Sequence, residues 1–91
     1  MAAEQDFVIV NRLGLHVRPA SCFVLTACRF AAEIEIERGG RVADGRSIMG
    51  ILLLDAGEGD VVTIRGNGTD AAHALEALGA LVDGGFGEAC D

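Results

Sequence analysis

Residues 33–43 read Glu33-Ile34-Glu35-Ile36-Glu37-Arg38-Gly39-Gly40-Arg41-Val42-Ala43. Strict alternation of acidic and apolar residues is the period of a half-buried strand, with Ile34 and Ile36 inward. Gly39-Gly40 turns the chain, and Arg41–Ala43 is the return strand of a hairpin. Working outward, Phe7–Val10 is a short apolar run that reads as a strand. Asn11–Gly14 is turn-like. From His16 the pattern becomes helical, with Ala20, Phe23, Val24, Ala27, Cys28 and Ala31 forming one apolar stripe and Pro19 near the start. This predicts a helix over about 17–29. Beyond the hairpin, Ser47 is a favoured N-cap for one or two helical turns over Ile48–Leu54. Asp60–Arg65 reads as a strand ended by Gly66-Asn67-Gly68. Thr69 then caps a last helix over about 70–83, with Ala71, Ala74, Leu75, Leu78 and Val82 inward. Gly84-Gly85 stops it, and the residues beyond are expected to fray. The order β-α-β-β-α-β-α predicts an α+β open-faced sandwich. Its sheet is four-stranded and antiparallel, with the helices on one face.

The chain has 91 residues, 51% of them hydrophobic, which fits one domain over 1–91 with a modest core. Its net charge is −7, from seven Arg and fourteen acids. Residues 1–46 are net neutral, and residues 47–91 carry the whole −7. Between Asp6 and Glu33 no acid occurs, yet Arg12, Arg18 and Arg29 fall there. That window is where an anion would sit. An acidic chain without Lys, Tyr or Trp is a poor nucleic-acid binder. No apolar run approaches a membrane span, and the first residues do not read as a signal peptide. Cys22, Cys28 and Cys90 lack CxxC spacing, so they are expected to be incidental thiols with no disulfide framework and no metal site. No cofactor is expected.

Leu15-His16-Val17-Arg18-Pro19-Ala20 carries the chemistry. His16 stands at a helix N-terminus, where backbone N–H groups lack intrahelical partners and the helix end is partly positive. Both stabilise an anion. Arg18 adds a bidentate clamp suited to phosphate. A neutral imidazole nitrogen can attack phosphorus and hold a phosphoryl group, with the amides of Val17 and Arg18 on its oxygens. A lone His at a helix start also suits a plain cap or a solvated side chain. His73 reads as solvated.

At the second helix, Ile48, Met49, Ile51, Leu52, Leu53 and Leu54 are more apolar residues than two turns hide on one side. Some must face water or a partner, and a Met-containing patch suits several partners. Phosphorylation of Ser47 would put roughly −2 charge beside that surface. A plain cap and a crowded core are the structural alternative.

Taken together, these two constellations resemble the HPr family, the histidine-containing phosphocarriers of the bacterial phosphoenolpyruvate-dependent phosphotransferase system. Asn11–Ala20 is similar to the family's active-site motif, and Gly45-Arg-Ser-Ile-Met-Gly50 to its regulatory-serine motif. Gly59–Ile64 and Gly68–Ala71 are similar to its last strand and last helix start. The resemblance implies that His16 accepts a phosphoryl group on Nδ1 from enzyme I and passes it to an EIIA domain. Arg18 and the main chain at Val17 and Arg18 would hold the group. Ile48, Met49 and Leu52 would dock partners, and Ser47 would be the target of HPr kinase/phosphorylase. It further implies a monomeric cytoplasmic carrier, not an enzyme. The alternative is a binding module of the same fold in a nitrogen-type phosphorelay, switched at Ser47. Val17 stands where the family usually has Ala or Thr, and Arg46 where it has Lys.

Overall fold

A computed structural model of the chain describes residues 2–87. The elements are β1 (Ala2–Val8), α1 (Val17–Ala27), β2 (Glu33–Arg38), β3 (Arg41–Asp44), α2 (Ile48–Leu53), β4 (Val61–Asn67) and α3 (Ala71–Asp83). The order matches the sequence reading. The four strands form one sheet in the order β1-β4-β2-β3, and every neighbouring pair is antiparallel.

Register separates the two faces. Phe7 pairs with Val62, and Ile36 pairs with both Ile64 and Ala43. All five are buried, in one cluster with Phe23 and Ala27 of α1, Ile51 of α2 and Leu78 of α3. The helices therefore cover this face. The other face is polar. Glu4 and Glu35 both pair with Arg65, while Asp6 and Glu37 both pair with Thr63. Arg65 donates to Glu4 and Glu37, and Thr63 Oγ1 donates to Asp6. The Glu37 hydrogen bond, then that of Glu4, raises the Arg65 pKa above its ordinary value. Phe7 reaches the core because Gly79 faces it: a Cβ there would lie 2.5 Å from the ring.

Several boundaries differ from expectation. β1 starts at Ala2, not Phe7, and stops at Val8. Its first residues, Ala-Ala-Glu-Gln, carry no strand signal of their own and are held by pairing with β4. β4 runs through Gly66 to Asn67, because Gly66 is buried where Leu75 and Ala71 leave no room for a side chain. α1 ends at Ala27, so Cys28 and Ala31 are exposed and Cys22 takes an inward place. Cys28 is a free thiol. Cys22 is not free, which departs from the expectation of plain thiols at that position. Cys90 lies outside the described residues.

The N-cap of α3 is Asp70, not Thr69. The Asp70 carboxylate accepts from the amides of Ala31 and Ala32 at 2.9 and 2.8 Å, tying α3 to the turn before β2. The Ala31 bond, helped by that of Ala32, holds this carboxyl below its ordinary pKa. Phe86 is not frayed. It is buried, its N–H donates to Leu81 O at 2.9 Å, and its φ is +57°. No helix among the described residues is long and apolar enough to cross a membrane.

Candidate functional site

The turn before α1 is built around Gly14. Its φ is +68°, and a Cβ there would lie 2.3 Å from Ala56 O and 2.7 Å from Gly57 Cα. Only glycine allows so close an approach of two backbones. The next residue seals the contact, since Leu15 N–H donates to Ala56 O at 2.9 Å. The loop that carries His16 is thus fixed to the segment that follows α2.

His16 is the N-cap of α1, with extended backbone (φ −73°, ψ 179°) and no side-chain cap bond. Its imidazole is not used to close the helix and is exposed. The first helical bond runs from Ala20 N to His16 O. Pro19 has no N–H, so the orphan donors of the first turn are the amides of Val17 and Arg18. No acid occupies that turn. The positive helix end therefore meets no fixed counter-charge on its own helix.

A groove of about 340 Å³ opens here, lined by Asn11, Arg12, Leu13, His16, Arg18, Pro19, Gly85 and Phe86. The arginines sort themselves around it. Arg38 pairs with Asp60 and donates to Leu54 O, and Arg41 donates to Leu53 O, both at the end of α2. Arg46 donates to the carbonyls of Phe30 and Ala32. Arg65 is held by its two glutamates. Among the described residues, Arg12, Arg18 and Arg29 make no such bond, and they are the three arginines of the acid-free window. Two of them share the groove with His16.

Ser47 caps α2 as expected, with its Oγ accepting from Gly50 N–H at 3.0 Å. Ile48, Met49 and Leu53 are exposed, Met49 and Leu53 at 66% and 65%. Leu52 is half-buried against the core. The excess of apolar residues in α2 is thus real surface, and α2 packs beside α1. Neither Ser47 nor the α2 patch lines the groove. His73 is exposed on α3.

The Gly85-Phe86 wall of the groove has no counterpart in the sequence reading, whereas Asn11 and Arg12 fall inside the motif around His16. The basic window flagged Arg12, but nothing in the sequence brought residues 85 and 86 back to His16.

A family model described as the PTS HPr component phosphorylation site matches residues 3–83. A protein of Shewanella violacea named phosphocarrier protein NPr is 44% identical over 86 residues, 94% of each chain. A protein of Cupriavidus necator named phosphocarrier protein HPr is 40% identical over 85 residues, 93% of this chain and 96% of that one. A solved HPr of Thermoanaerobacter tengcongensis superposes with a TM-score of 0.90 at 40% identity, covering 94% of this chain and 97% of the other.

Proposed function

The chain belongs to the HPr family of phosphotransferase-system phosphocarriers, and from that premise we propose that His16 is the residue that carries the phosphoryl group. The observation that supports this most is the groove in which an exposed histidine at the start of α1, its side chain not used as a cap, meets two arginines that form no ion pair among the described residues. Nδ1 of His16 attacks the phosphorus of phosphorylated enzyme I. A P–N bond forms as the donor's bond to phosphorus breaks, and the same exchange run onward loads an EIIA domain. The amides of Val17 and Arg18 receive phosphoryl oxygens, and the Arg18 guanidinium adds charged hydrogen bonds. None of these contacts is worth more than about 1–3 kcal/mol, so the group is held and still transferable.

Ile48 and Met49, with Leu52, form the partner-docking surface, and Leu53 extends it. Ser47 is the regulatory phosphorylation site for HPr kinase/phosphorylase, where new charge would fall beside that surface. The protein works as a monomeric cytoplasmic intermediate, a single carrier domain over 1–91, and is no enzyme in its own right. Incubation with enzyme I and phosphoenolpyruvate should give one acid-labile, base-stable phosphate, and His16→Ala should abolish it. A wild-type chain that takes no label from a matched enzyme I sinks the reading.

A further inference from the structure

Asn11 belongs to the groove but makes no contact that the phosphoryl-transfer reading uses. Its Nδ2 donates to Gly14 O at 2.6 Å, and its main-chain carbonyl accepts from Gly14 N–H at 3.1 Å. The other end of the amide is unusual. Oδ1 is buried without a partner, alone in this among the described residues. The orientation is unambiguous: turned over, the amide would set Oδ1 against Gly14 O, two acceptors face to face. A buried acceptor without a protein partner is unfavourable. It persists beside a bond that only a donor at this position can make.

That bond bears directly on His16. Gly14 O accepts a second hydrogen bond, from the His16 N–H at 3.0 Å. With both lone pairs used, the carbonyl cannot swing. Asn11 thus fixes the carbonyl from which the His16 backbone hangs, and Gly14 itself is pinned by its contact with Ala56 and Gly57. We infer that Asn11 is a positioning residue for the phosphoryl-accepting histidine, acting through the Gly14 carbonyl. The inference rests on His16 being the acceptor, but its structural half does not.

Two arms separate those parts. In amide hydrogen exchange, Asn11→Ala should speed exchange of the His16 N–H by about tenfold. The remote amide of Gly45, bonded to Ile34 O at 2.8 Å, should be unchanged and so report intact global stability. In phosphoryl uptake from phosphorylated enzyme I, Asn11→Ala and Asn11→Asp should each lower the maximal rate by about tenfold with KM hardly moved. Asp keeps the size of the side chain but not the donor, so a purely space-filling role predicts that it transfers normally. Unchanged His16 exchange in Asn11→Ala overturns the inference whatever the labelling shows. So does a folded Asn11→Asp protein with the wild-type maximal rate. A wild type that takes no label removes the reading of His16 instead, and the exchange arm still decides whether Asn11 holds the turn.

Discussion

At the scale of single residues, Gly14 decides whether a site exists at all. A methyl group there would need to occupy the space of Ala56 O, on a backbone at φ +68°. Gly14→Ala should therefore destabilise the protein by about 1–3 kcal/mol and slow phosphoryl uptake. Gly39 is the control. Its φ is also positive, but nothing lies within 4 Å of its Cβ position, so Gly39→Ala should leave uptake unchanged. Denaturant unfolding and labelling of both variants test this, and equal loss of uptake in the two would contradict it. The sequence marks Gly14 only as a residue able to adopt an unusual angle. The nearness of Ala56, 42 positions along the chain, is a product of topology and has no local trace.

At the scale of elements, the strongly patterned ones were legible. β2 and β3 declare themselves through alternation, α3 through its period, and α2 through its cap and its surplus of apolar residues. The place of His16, Val17 and Arg18 at the start of α1 was legible because the start of a helix is a local feature. The N-terminal half of β1 was not, since its Ala, Glu and Gln are strand only by virtue of β4 alongside. The start of α3 was misread for a related reason. Asp70 is the cap residue, yet its carboxylate serves a turn 38 positions away rather than its own helix. That long-range bond carries a pH signature. A carboxyl with a lowered pKa in the folded state contributes stability that is present above the ordinary carboxylate pKa. The contribution fades as the pH falls through the lowered value. Acid unfolding followed by circular dichroism should show wild type losing stability over that range more steeply than Asp70→Asn. Parallel acid curves for the two would show that the bond to Ala31 and Ala32 adds nothing.

At the scale of the whole molecule, charge is sorted by location. The open face of the sheet presents Glu4, Asp6, Glu35 and Glu37 around one arginine that is already paired. Arg12 and Arg18, which form no ion pair among the described residues, line the groove with His16. Such a charge distribution steers an encounter by its field more than it tightens the final complex. Association with enzyme I, followed by stopped flow, should slow as sodium chloride is raised, with little change in the dissociation rate. A salt-independent association rate would leave the acids as determinants of solubility alone. The strand order has a different consequence, one of timing. β1 is first in the chain, but its sheet partner is β4, and β4 also holds the inner edge of β2. In a nascent chain that stops short of Val61 the only strand pairing available is the β2–β3 hairpin, which is marginal by itself. The N-terminal strand must therefore wait, unpaired, until translation has passed the last strand.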